Sequence, residues 1–211
     1  QPPETILITS PEPGDGKTTT AVNLALTFVL SGKRVLLIDA DMRRPNAHNL
    51  LGMERGPGLA EMLTGEEKVQ VVRKTYVDGL YFVAAGYAED PPTEALDSSR
   101  MQKLLDIGRE RCDVIIVDTP PVLAASDALM LAPHADATLV VSSAIGTEIE
   151  TLNVTRDMLE GVGVSISGVI FNRFDGRRGG VSNQRHGYYK YGEYSEYKMV
   201  SEHLHRRRLY P

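Results

Sequence analysis

The chain has 211 residues, 42% of them hydrophobic and 24% charged, with a net charge of −5. That length suits one domain with a real core, and no apolar run approaches the roughly 18 residues of a membrane span. The single cysteine, Cys112, excludes an internal disulfide and any cysteine cluster for zinc or iron–sulfur.

The elements follow in order. Residues 5–9 (TILIT) read as a strand. A turn containing Gly14 and Gly16 leads into a helix over 17–30 that stops at Gly32. Further strands are expected at 34–39, 80–85, 113–118, 137–142 and 165–172, and helices at 93–111 and 149–159. Most strands are continuously apolar, as in a parallel sheet covered on both faces. Cys112, just before one of them, reads as a small core residue. No signal sequence is expected ahead of the first strand. The alternation predicts an α/β fold, a doubly wound and mostly parallel sheet in three Rossmann-like layers, with ligands at the carboxyl ends of the strands. Residues 1–175 form the expected domain. Residues 176–211 read as a flexible linker and tyrosine-rich tail, with Tyr188, Tyr189, Tyr191, Tyr194, Tyr197 and Tyr210 at no single structural period. Residues 172–211 carry nine Lys/Arg and four Asp/Glu, so a basic tail follows an acidic body.

The stretch SPEPGDGKTTT, from Ser10, ends as a phosphate-binding loop does, although Pro11 stands where such loops usually have their first glycine. Proline suits a first bend. The N–H groups from Gly14 to Thr18 remain free to meet phosphate at a helix start. Lys17 would reach the β and γ phosphates and the Thr18 hydroxyl would ligate Mg²⁺. Asp118, closing the run VIIV, fits a strand-end carboxylate that holds Mg²⁺. In VLLIDADMRRP, Asp39 and Asp41 lie so close that a cation or a proton must separate them. Either could take a proton from an incoming hydroxyl; a solvated turn balanced by Arg43 and Arg44 is the plainer alternative. Asn172 and Arg173 end the last strand at the ligand edge. An Asn amide suits an adenine edge, or merely terminates a strand.

Together SPEPGDGKTTT, LLIDADMRRP, GPGLAEMLTG, PPTEAL, DVIIVDTPP and the tyrosine tail resemble the bacterial tyrosine kinases (BY-kinases) that regulate exopolysaccharide and capsule synthesis. These are relatives of the ParA and MinD ATPases with a deviant P-loop. The resemblance implies ATP and Mg²⁺ as cofactors and phosphorylation of tail tyrosines on a neighbouring subunit. It implies ATP contacts from Pro13, Gly14, Asp15, Gly16, Lys17, Thr18, Thr19, Asn172 and Arg173, and metal contacts from Thr18, Asp39 and Asp118. Lys17, Asp39 and Asp41 would be catalytic, with Asp39 near metal and nucleophile and Asp41 on metal-bound water.

The implied partners are further subunits in cyclic oligomers, a membrane-anchored activator, fused or separate, and a tyrosine phosphatase. The implied place is the inner face of the cell membrane. Family members often have Glu at the position of Asp15, Ser at Thr18 and Arg after the fifth core strand, where this chain has Ser142 and Ser143. Their oligomerisation motif lies upstream of the first strand, so ring assembly by a chain starting at Gln1 is expected to be weakened. The main alternative is a ParA- or MinD-like ATPase switch that phosphorylates no protein. Such switches typically carry a lysine early in the loop, which Ser10 and Pro11 do not supply. Glu193, Glu196 and Glu202 within the basic tail argue against nucleic-acid binding.

Overall fold

Strand β1 (Thr5–Thr9) enters the core fully buried, and β2 (Val35–Asp39) and β5 (Val114–Asp118) match it residue for residue in burial. Those three apolar runs form the middle of a seven-stranded sheet, ordered β3-β4-β2-β5-β1-β6-β7. The other strands are β3 (Val72–Lys74), β4 (Leu80–Val83), β6 (Ala137–Ser143) and β7 (Gly168–Asn172). Every pairing is parallel except β3 with β4. The computed structural model describes residues 3–65 and 70–174. The expected linker and tail, 176–211, therefore lie outside the described residues. Among those described, no helix is long and apolar enough to cross a membrane.

Helix α1 (Lys17–Leu30) lies against β1, β2 and β5 and buries Ala21, Val22, Ala25 and Leu26. The alternate strand side chains, Leu7, Leu36, Ile38, Ile115, Val117 and Val140, join a separate cluster. Leu59 and Leu63 of α3 (Leu59–Thr64), Leu104 and Leu105 of α4 (Ser99–Arg111), and Leu159 of α6 (Ile149–Gly161) complete it. Two apolar faces per strand explain the continuous hydrophobic runs. Phe82 of β4 is the largest wholly buried side chain, and truncating such a group to alanine costs about 3–5 kcal/mol.

The expected helix over 93–111 is two elements. A 3-10 turn (Thr93–Asp97) ends at Ser98, whose hydroxyl accepts from the Met101 N–H and starts α4 afresh. The last strand begins at Gly168 rather than at 165, because Ser167 spends its side chain and N–H on Thr138. Cys112 caps α4 half-buried, packed against the core rather than inside it.

The segment GPGLAEMLTG has a physical role. A Cβ on Gly58 would collide with the Ala84 carbonyl oxygen. That close approach lets Leu59 and Ala60 donate their N–H groups to Ala84 and Ala85, at 2.7 and 3.0 Å. The Glu61 carboxylate accepts from the N–H groups of Gly58 and Tyr87. Helix α3 is thereby stitched to the carboxyl end of β4. Two further short helices, α2 (Ala47–Leu51) and α5 (Asp127–Leu131), follow β2 and β5 on the same edge.

Candidate active site

Parallel strands end together, so Thr9, Asp39, Asp118, Ser143 and Asn172 share one edge of the sheet. The β2–β5 register sets Asp39 directly beside Asp118. The Ala40 N–H donates to the Asp118 carbonyl at 2.7 Å, holding the two strand ends at one level.

The loop after β1 bends twice through left-handed glycines, Gly14 at φ 93° and Gly16 at φ 97°. Gly16 caps α1 with no side chain, so the first-turn N–H groups are open to an anion. A side chain at Gly16 would also strike the Asn172 amide. Pro11 is buried at the first bend, and its carbonyl accepts from Leu123 N–H, as Ser10 accepts from Val122. The missing first glycine is thus replaced by a bend anchored on the loop after β5. Pro13, Gly14 and Thr19 are exposed.

Asp15 holds this loop from within. Its carboxylate accepts from Glu12 N–H at 3.1 Å, from Ser143 N–H at 3.3 Å and from the Thr147 hydroxyl at 3.0 Å. The Asn172 amide donates to the Asp15 carbonyl at 2.8 Å and accepts from Arg173 N–H. Arg173 adopts φ 56°. In this arrangement Asn172 grips the loop instead of presenting its amide to a base. Ser143 and Thr147 carry no local motif that marks them as loop clamps.

Lys17 points into the carboxylates. Its Nζ lies 2.7 Å from Asp41 Oδ2, 3.2 Å from Thr18 Oγ1 and 3.9 Å from Asp118 Oδ1. Burial works to lower the Lys17 pKa, but Asp118, Asp41 and Asp39 outweigh it and raise it. Asp39 is wholly buried and its carboxyl is pushed well above the usual range, first by burial and then by Asp118 and Asp41. It accepts from the N–H groups of Asp41 and Ala47. Asp41 accepts from Arg44 N–H at 2.9 Å. Arg43 does not neutralise this pair. Its guanidinium turns to Asp127, 3.3 Å away.

Asp118 is pushed up to about 6, by burial above all, against the pull of Lys17. Both its side-chain oxygens are buried without a hydrogen-bond partner. A buried carboxylate short of donors is a place for a cation. Asp118, Asp39 and the Thr18 hydroxyl offer only oxygen, the donor set that suits Mg²⁺. Among the described residues no three acidic, His or Cys side chains form a ready cage. Mg²⁺ needs none, since it takes one or two carboxylates with phosphate oxygens and water. The residues present fit the ion.

A family model for the CobQ/CobB/MinD/ParA nucleotide-binding domain matches residues 6–193. The tyrosine-protein kinase YwqD of Bacillus subtilis is 37% identical over 173 residues, covering 80% of this chain and 72% of that protein. The chain belongs to the bacterial tyrosine kinase family. The putative tyrosine-protein kinase EpsB of Ralstonia solanacearum is 40% identical over 90% of the chain. The chain spans about a quarter of the length of that relative (26%).

The kinase domain of Escherichia coli ETK superposes with a TM-score of 0.76 at 30% identity, covering 88% of this chain and 72% of that one. MinD of Pyrococcus horikoshii, solved with Mg-ADP, gives 0.68 at 26% identity, covering 82% and 71%. The fold expected from the sequence is the fold observed. The tail tyrosines Tyr188 to Tyr210 lie outside the described residues.

Proposed function

We propose that this chain is the catalytic domain of an ATP- and Mg²⁺-dependent protein-tyrosine kinase that modifies the tyrosine cluster of a neighbouring copy. The observation that carries the reading is the convergence of Lys17, Asp39, Asp41 and Asp118 on one buried point beside a helix start open to an anion, with neither Asp118 oxygen hydrogen-bonded. Membership of the BY-kinase family supports it.

The N–H groups from Gly14 to Thr19, after the bend at Pro13, cradle the phosphates, with Asp15 contributing its N–H. Lys17 leaves Asp41 for the β and γ phosphates. Thr18, Asp39 and Asp118 would hold Mg²⁺, which when bound neutralises phosphate charge. Asn172 and Arg173 serve the base, which requires the Asn172 amide to release the Asp15 carbonyl. A phenol titrates near 10 and is a weak nucleophile at neutral pH. Asp39 would take the phenolic proton as the new O–P bond forms and the bond from the γ phosphorus to ADP breaks. Asp41 would orient water at the metal.

The acceptors are Tyr188, Tyr189, Tyr191, Tyr194, Tyr197 and Tyr210. Each phosphate adds close to two negative charges, enough after a few events to reverse the basic tail. The partners are further copies of the chain, a membrane-anchored activator that keeps the domain at the inner face of the cell membrane, and a tyrosine phosphatase. The pathway is exopolysaccharide synthesis or export. Incubation with Mg·ATP followed by phosphosite mapping tests the reading. Phosphotyrosine within 188–210 that vanishes in Lys17→Met and Asp39→Ala supports it. ADP release without phosphotyrosine favours a MinD-like switch.

A further inference from the structure

Asp39, at the end of β2, accepts from the N–H groups of Asp41 and Ala47, and Asp41 accepts from Arg44 N–H and from Lys17 Nζ at 2.7 Å. A second side chain of that loop also reaches out. Arg43 donates through Nε to Asp127 Oδ2 at 3.3 Å and through Nη2 to Thr93 Oγ1 at 2.9 Å. Thr93 in turn donates to the other Asp127 oxygen at 3.4 Å.

Asp127 is wholly buried at the first turn of α5. A buried carboxylate is costly unless it is paired, so this guanidinium is held where it stands. Helix α5 continues the segment that leaves Asp118, and the same segment bonds the phosphate loop through Val122 and Leu123. Arg43 therefore joins the Asp39–Asp41 loop to the chain that carries Asp118. Thr93 belongs to PPTEAL.

We infer that Arg43, gripped by Asp127 and Thr93, is a positioning residue that holds the loop after β2 and so sets where Asp41 stands relative to Asp118, while the β2–β5 ladder holds Asp39. It governs the rate of phosphoryl transfer and leaves the grip on ATP to the loop from Gly14 to Thr18. The two are separable because that loop has its own anchor, Asp15 on Ser143 and Thr147. Misplacing a reacting group by an ångström can cost about a hundredfold in rate. Lysine at position 43 keeps the charge on Asp127 but loses the planar fork that also reaches Thr93. The rate consequence rests on the kinase reading; the anchoring does not.

The test compares the full 211-residue chain with Arg43→Lys, Thr93→Val and the double variant Arg43→Ala/Asp127→Asn, which leaves no unpaired buried charge. The double variant is expected to lose about tenfold or more in kcat for phosphotyrosine formation, with KM for ATP within about threefold. Arg43→Lys and Thr93→Val, which keep a cation on Asp127 but lose the Arg43–Thr93 bond, lose a smaller part of kcat in the same direction. Backbone amides of Arg44 and Ala47 exchange hydrogen about tenfold faster in the double variant, while those of β5 do not change. A kcat within about twofold of wild type, or a loss carried by KM, overturns the inference. If the double variant does not fold, the same split is read from Thr93→Val, which keeps Asp127 paired. If wild type forms no phosphotyrosine, the kinase reading fails separately, and unchanged exchange at Arg44 and Ala47 then overturns the anchoring.

Discussion

The ammonium of Lys17 sits 2.7 Å from Oδ2 of Asp41, with both side chains almost wholly buried. The cation expected to meet phosphate is therefore already engaged by a carboxylate of the loop after β2. ATP must displace Asp41 before Lys17 can serve it. In Asp41→Asn the competing charge is gone, and metal-free ATP is expected to bind about tenfold more tightly. Transfer slows because the residue no longer orients water at the metal. Nucleotide titration in chelator checks the first effect, and unchanged or weaker ATP binding contradicts it.

Asp118 gives a pH signature to the metal-free, nucleotide-free protein. Its carboxyl titrates at about 6 in the fold, chiefly through burial, against about 3.9 in an unfolded chain. The native state then holds the proton to higher pH than the unfolded state. Stability from this group is complete below about pH 4 and is lost as pH rises to about 6. Asp39 shifts in the same direction. Thermal unfolding in chelator should show Asp118→Asn gaining on wild type across that window and more stable at pH 7.5. A variant less stable than wild type at pH 7.5 contradicts the assignment.

Asp15 predicts the opposite kinetic pattern from Arg43. Asp15→Ala removes the acceptor for Glu12 N–H and the Thr147 hydroxyl and one of the two acceptors of Ser143 N–H. Unsatisfied donors of this kind cost about 2 kcal/mol. The phosphate loop loosens, so the Kd for ATP rises about tenfold while kcat at saturation changes by less than about threefold. Calorimetry and saturation kinetics on one preparation separate the two.

Gly58→Ala tests the join between α3 and β4. The added Cβ meets the Ala84 carbonyl oxygen and lies 2.6 Å from Gly86 N. Backbone must move, and the bonds from Leu59 and Ala60 to that strand end are strained. The expected cost is about 2 kcal/mol by denaturant unfolding, with ATP affinity unchanged.

Much of this architecture could be read before any coordinates. Continuous apolar runs ending in Asp39 and Asp118 announce buried parallel strands with carboxylates at one edge. The Gly-Lys-Thr helix start announces the anion site. Strand β3 escaped that reading because three residues, Val72, Arg73 and Lys74, carry no period and pair antiparallel at the sheet edge. Helices α2, α3 and α5 span five or six residues, too few for a 3.6-residue pattern to declare itself. The break at Ser98 lay hidden in an amphipathic run whose cap is a single hydroxyl. Long-range partners were invisible for another reason. Arg43 and Asp127 are 84 positions apart, and Asp15 and Thr147 are 132 apart. No local pattern encodes which acid will be buried against which base.

The most direct measurement mixes unlabelled wild type with isotopically heavy Lys17→Met chain in Mg·ATP and follows phosphate on the heavy peptides by mass spectrometry. The account predicts phosphotyrosine at Tyr188 to Tyr197 of the heavy chain, and none when heavy Lys17→Met is incubated alone. ATP consumed with both tails unmodified would contradict it.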